Sequence, residues 1–310
     1  MAKDFIKDSG FIDLHTHGIG RCDTKTTNPD DILKMAELHG KAGTAAILPA
    51  IYSDTIDEMR KNMEAVRRAM EIQKARGKGQ GVRIKDFRLT TNDYRLSTIM
   101  GVHLEGPFLN PLRCGALDKG SFIKPTLSSL KRLIDGYEGI IKIITIAPEL
   151  SGALRVIERC RELGIRVNMG HSDATYKQAL DGKKAGAAGI THIFNAMRPF
   201  HHREPGIAGF GLLDEDTYIE VIADGVHLHP ETLKLIFSVK RHDRVILVSD
   251  SVKGAGRGRM PIYKARGILA GSNITVAEAA DVLKKIGISD AVIKKAGMNN
   301  PERYLAVIQS

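Results

Sequence analysis

The sequence predicts a single-domain α/β protein built as a (β/α)8 TIM barrel. Three observations predict it. Eight short runs rich in Ile and Val alternate with helix-length segments along the 310 residues. The runs are continuously apolar rather than alternating, which suits parallel strands covered on both faces. Polar residues fitted for chemistry stand at the C-terminal ends of most runs, where a barrel gathers its active site. A doubly wound open sheet shares the alternation, but it does not predict so many polar strand ends.

Taken in order, run 11–17 (FIDLHTH) ends on His15 and His17, and run 44–50 (TAAILPA) follows a helical pattern at 30–40. A second helical pattern spans 54–77. The polar link 78–97 lies between a helix and a strand, so it belongs on the face opposite the chemistry and reads as an elaborated surface loop. Run 99–106 (IMGVHLEG) ends on Glu105, and run 140–149 follows a helical pattern at 126–137. The helical pattern 152–163 leads into run 165–171 (IRVNMGH), which ends on His171. The next helix, 175–186, opens with Thr175 and Gln178 at capping-box spacing. Run 189–196 (GITHIFNA) contains His192, and 197–217 shows no clear helix. A loop of that length after a strand is usually functional. Run 218–225 ends on Asp224 with His227 just beyond, and Pro230 fits the first turn of helix 230–241. Run 245–251 (VILVSDS) ends on Asp250. Two helices follow at 276–286 and 289–296, the first with a second capping-box spacing, Thr275 and Glu278.

Bulk composition narrows the class. A hydrophobic content of 43% supports a full core. Three widely spaced cysteines, Cys22, Cys114 and Cys160, argue against a disulfide framework and for a reducing, cytoplasmic setting. No apolar run reaches transmembrane length and the N-terminus is not a signal peptide, so no membrane partner is expected. The net charge of +10 is uneven: residues 60–88 carry ten Lys/Arg against three acids. With Phe87 as its only aromatic, that segment reads as a solvated face and not as a nucleic-acid surface.

The strand-end residues form a donor set. Alternate residues of a strand point to one side, so His15 and His17 can face one ion. Glu105, at a strand end and followed by Gly-Pro, suits a ligand better than a core residue. With His171 and His192 the five make an all N/O site suited to Zn²⁺ or Fe²⁺, one ion or two. Asp250 can ligate, or take a proton from water. A single strand-end histidine is more often a structural hydrogen-bonding residue. Polar ends on six of the eight runs are harder to explain that way.

The segments HLEGPFLNP, GHSDAT, THIFNAM, REPG, IADGVHLHP, LVSDS and GSNIT, in this order and spacing from about residue 10 to residue 308, resemble the motif series of the N-acetylglucosamine-6-phosphate deacetylases, members of the metal-dependent amidohydrolase superfamily. The resemblance implies that Glu105, His171 and His192 bind the main metal, and that His15 and His17 hold a second ion where there is one. It implies Asp250 as catalytic acid/base. It further implies substrate contacts at Asn195, Ala196 and His227, at Ala116, and at the turn of Leu269, Ala270 and Gly271. Arg203, with His202, matches phosphate-binding residues that reach into a partner subunit's site, which implies a homodimer. The implied reaction releases acetate from N-acetyl-D-glucosamine 6-phosphate and leaves glucosamine 6-phosphate. Other N-acetylated amino-sugar phosphates, a cyclic amide, or sugar-phosphate binding without turnover are the alternatives.

Two departures accompany the resemblance. Most members carry a small β-sandwich formed before and after the barrel, and this sequence, with its first strand by residue 11, leaves no room for it. Many members also have His or Gln after the turn at Gly115-Ala116, where this chain has Leu117. A side-chain donor to the acetyl oxygen is then missing, and a second ion at His15/His17 could take over that role.

Overall fold

Strand β1 runs Phe11–Thr16, β2 Thr44–Tyr52, β3 Val102–Glu105, β4 Ile141–Ile146, β5 Arg166–Met169, β6 Gly189–Ile190, β7 Tyr218–Ile222 and β8 Val245–Val248. They hydrogen-bond side by side in chain order, all in parallel. The last returns to the first just past the strand ends. Thr16 bridges Ser251, the Asp250 amide donates to the His15 carbonyl at 2.8 Å, and the His17 amide donates to Ser251 at 2.7 Å. This is the predicted (β/α)8 barrel. The structure is a computed structural model and describes residues 10–79, 96–256 and 267–306. Most of the polar link at 78–97 lies outside the described residues.

The helices are α1 (Pro29–Lys41), α2 (Ile56–Gly79), α3 (Leu127–Ile134), α4 (Ala153–Glu162), α5 (Tyr176–Ala185), α6 (Gly206–Leu213), α7 (Pro230–Val239), α8 (Val276–Lys285), α9 (Asp290–Lys294) and α10 (Asn300–Ala306). Their starts are set by local chemistry. The Asn28 side chain accepts from the Asp30 amide ahead of α1, with Pro29 at the first helical position. Both anticipated capping boxes form in full, Thr175 with Gln178 and Thr275 with Glu278. No helix among the described residues is long and apolar enough to cross a membrane.

The main core lies between strands and helices and includes Ile32, Met35, Ile47, Met63, Val102, Ile144, Val167 and Ile219. A second cluster gathers Ile12, Leu14, Leu48, Ile143, Ile222, Ile246 and Val248 around Tyr304 of α10. Among the described residues Tyr304 is the bulkiest fully buried side chain, and Arg166 donates to its carbonyl at 2.9 Å.

Three elements differ from the sequence reading, one of them α10, which lies beyond the last helix read from the sequence. The stretch 197–217, in which the sequence shows no clear helix, contains α6. Its sequence GIAGFGLL carries three glycines and no polar face, and Gly206 through Leu212 are all buried. A helix apolar all round has no amphipathic stripe to read, and burial makes up for its poor intrinsic propensity. The run 189–196, read as one strand, keeps only Gly189–Ile190 in the sheet. Residues 191–196 leave the ladder through backbone turns, which the site explains.

Candidate metal centre and catalytic pocket

Five non-glycine residues have positive φ among the described residues: His171 (46°), His192 (28°), Phe194 (72°), Ala196 (49°) and Asp250 (48°). Each follows the end of a barrel strand, and four are anticipated site residues. Such backbone costs on the order of 1–3 kcal/mol per residue and persists only where the surroundings impose it. Here the turns swing side chains out of the ladder and over the barrel mouth.

The anticipated ligands come together around one carboxylate. Glu105 Oε1 lies 3.0 Å from His171 Nε2, 3.1 Å from His192 Nε2 and 3.7 Å from His15 Nε2. Its Oε2 lies 3.3 Å from His17 Nε2. Asp250 Oδ1 stands 3.4 Å from His17 Nε2 and 3.6 Å from His15 Nε2. Two ligand sets result, Glu105/His171/His192 and His15/His17/Asp250.

The hydrogen bonds on the far side of two of the imidazoles fix what they present. His17 Nδ1 donates to the Ala50 carbonyl at 2.8 Å and His171 Nδ1 to the Arg113 carbonyl at 2.9 Å. A carbonyl only accepts, so Nδ1 carries a proton and Nε2 is the nitrogen turned to the cluster, able to ligate once it holds no proton of its own. Burial pushes the Glu105 carboxyl up, but His17 and His171 hold it well below its ordinary value. Burial lowers His17, yet Glu105 and Asp250 pull it up to about 10. The cluster therefore holds positive charge strongly, and its neutral nitrogen and carboxylate donors fit a borderline divalent cation.

Above the cluster opens a cavity of about 720 Å³, a usual size for a small-molecule site. His17, Glu105, His171, His192 and Asp250 line its floor, while His15 is fully buried beneath. Ala116, Asn195, Ala196, His227, Leu269, Ala270 and Gly271 line its walls. His227 Nδ1 is bound to Asp224 at 2.6 Å, which orients its ring. Gly115 sits at φ 56°, where an added Cβ would press on Ala196 at 3.2 Å. Arg203 does not reach this cavity; it is exposed and meets His202 Nε2 at 3.0 Å.

Several residues escaped the sequence reading. Tyr52 stacks on the His17 ring at 3.9 Å, nearly parallel. Lys25 and Lys253 join the rim, Lys25 paired with Asp54. Beneath the floor, His15, His103 and Glu220 form a third buried cluster. Its signal was present: Glu220 is a charged residue inside the apolar strand YIEVI.

A profile of the amidohydrolase family matches residues 9–300, and the chain belongs to that family. Within it the chain is similar to the N-acetylglucosamine-6-phosphate deacetylase of Bacillus subtilis (strain 168), 32% identical over 304 residues, covering 97% of this chain and 70% of that one. It is also similar to the N-acetylgalactosamine-6-phosphate deacetylase of Escherichia coli O157:H7, 29% identical over 312 residues, covering 96% and 77%. The crystal structure of N-acetylglucosamine-6-phosphate deacetylase from Thermotoga maritima superposes with a TM-score of 0.82 at 28% identity, over 96% of this chain and 78% of that one.

Proposed function

We propose that the chain removes the acetyl group from N-acetyl-D-glucosamine 6-phosphate, giving glucosamine 6-phosphate and acetate. The observation that carries this reading is the convergence of four imidazoles on Glu105 beside Asp250, at the floor of a sugar-sized cavity. The similarity to named deacetylases supports the substrate.

Glu105, His171 and His192 would hold the main cation, Zn²⁺ or Fe²⁺, and His15 with His17 a second. When bound, such an ion polarises the amide carbonyl and lowers the pKa of water from about 16 towards about 7. Asp250 accepts a proton from the attacking water. It then gives that proton to the amide nitrogen as the C–N bond breaks, because an amine leaves only when protonated. The water's oxygen ends in acetate and its proton in the amino sugar. His227 and Asn195 orient the ring, and the backbone around Ala116, Ala196 and Leu269–Gly271 closes the cavity on the N-acetyl and sugar face. The Leu117 side chain offers no hydrogen bond to the acetyl oxygen, a contact that a cation held by His15 and His17 would supply.

Arg203 lies outside its own cavity. Its role as a bidentate phosphate ligand therefore calls for a second copy of the chain, and we read the enzyme as a homodimer. Residues 1–310 act as one catalytic domain. The three unpaired cysteines fit a reducing, cytoplasmic setting. No nucleic acid or membrane enters this reading.

A second reading, the galactosamine epimer, draws on the similarity to an N-acetylgalactosamine-6-phosphate deacetylase. Acetate release is to be measured on both phosphosugars and on unphosphorylated N-acetylglucosamine, with bound metal quantified. The glucosamine phosphate is expected to turn over fastest, with loss of activity on chelation. Faster turnover of the galactosamine phosphate moves the assignment to that epimer. No turnover on any of the three would sink the deacetylase reading.

A further inference from the structure

The third cluster, His15/His103/Glu220, is closed to a cation of its own. His103 Nδ1 faces the Leu14 carbonyl at 3.1 Å and its Nε2 the Thr145 hydroxyl at 2.8 Å, so both nitrogens are engaged. Both Glu220 oxygens are also taken. Asn168 Nδ2 donates to Oε1 at 2.7 Å, and Oε2 meets the His192 amide at 3.4 Å and His15 Nδ1 at 3.1 Å.

The polarity of this network has a fixed end. A backbone N–H can only donate, so Glu220 Oε2 accepts from His192. In the ionised form of Glu220, with Asn168 donating to its other oxygen, both oxygens accept and His15 Nδ1 is the donor. Asn168 is turned the same way from the other side, because its Oδ1 accepts from the Tyr304 hydroxyl. Space for this step comes from β6: a Cβ at Gly189 would collide with Asn168 Oδ1 and the Tyr304 hydroxyl. A relay of hydrogen bonds thus runs from α10, below the barrel, to the underside of a strand-end histidine.

We propose that Glu220, held by Asn168 and Tyr304, is a positioning residue that keeps the proton on His15 Nδ1 and the Nε2 lone pair toward His17 and Asp250, and so sets whether a second cation is retained. The inference rests on the reading that an ion binds beside His15 and His17. A glutamine at position 220 presents an NH₂ group to one of the three donors and lets His15 carry its proton on Nε2, where it cannot ligate.

The test uses Co²⁺ stoichiometry and affinity in the full chain, with E220Q and Y304F. It adds the ¹⁵N spectrum of metal-free wild type, in which the protonated nitrogen of His15 is assigned. Wild type is expected to hold two ions, with His15 protonated on Nδ1. In E220Q the second ion should weaken about 10–100-fold, the usual cost of losing a ligand's supporting partner, while the first keeps its affinity. Y304F should weaken the second ion by a smaller factor in the same direction. Two ions at wild-type affinity in E220Q, or His15 protonated on Nε2 in wild type, would overturn the inference alone. A wild-type chain holding one ion overturns it together with the two-ion reading, and acetate release then still reports on the deacetylase reading separately. If E220Q fails to fold, Y304F and the wild-type spectrum decide.

Discussion

At the residue scale, the site was legible where side-chain type and strand position coincide. His15, His17, Glu105, His171, His192 and Asp250 all stand where a barrel strand delivers its last residues, and all meet within one cluster. The network of Glu220, Asn168 and Tyr304 was not legible, although Glu220 stands out as a charge inside an apolar strand. Their meaning lies in contacts across 52 and 136 positions of sequence, which no local pattern carries. Replacing Asp250 by Asn keeps its shape and removes its proton chemistry. We expect kcat/KM to fall about 10²–10⁴-fold, checked by acetate release with folded state followed by circular dichroism. His39, fully buried with its Nε2 on Thr16 at 3.0 Å, is depressed by burial to about 4. The unfolded chain therefore binds a proton at this site between its ordinary pKa and about 4, and the native state does not. This contribution to stability is whole above pH ~6.5 and is lost as pH falls toward 4. Denaturant titrations at pH 7 and pH 5 should show His39→Gln losing about 2 kcal/mol less than wild type across that interval. An equal loss in both chains refutes the assignment.

At the element scale, helix starts were the most legible features, since a cap is written within four residues. Thr175/Gln178 and Thr275/Glu278 needed no tertiary information. Helix α6 and the two-residue β6 were opaque for the opposite reason: packing, not pattern, decides them. Gly182 in α5 illustrates the same competition. Propensity alone says that alanine there should stabilise the helix by about 1 kcal/mol. The added Cβ would lie 2.6 Å from Met169 Sδ and 2.9 Å from the rigid ring of Pro148. We expect Gly182→Ala to lose about 1–3 kcal/mol instead, read as a lower denaturation midpoint. A rise in the midpoint would show that the helix can slide away from the sheet.

At the scale of the whole molecule, strand order and count followed from alternation of pattern, because a parallel barrel keeps spatial and chain order the same. Closure of the barrel is made partly beyond the ladder, by Thr16, His17, Asp250 and Ser251. An ion gripped by side chains from β1, β3, β5, β6 and β8 would brace the same rim. Chelation should therefore lower the thermal midpoint, by an amount equivalent to about 4 kcal/mol when free metal stands a thousandfold above its Kd. An unchanged midpoint in calorimetry would mean that the rim holds without it. The five positive-φ residues around that rim also bear on how this enzyme can be improved in the laboratory. Their backbones favour glycine, while imidazole and carboxylate chemistry demands something else at three of them. A library sorted only for heat resistance would gain stability by relaxing these turns, and with it would drift away from turnover. Selection for robustness and selection for catalysis pull this rim in opposite directions, and a screen has to apply both at once.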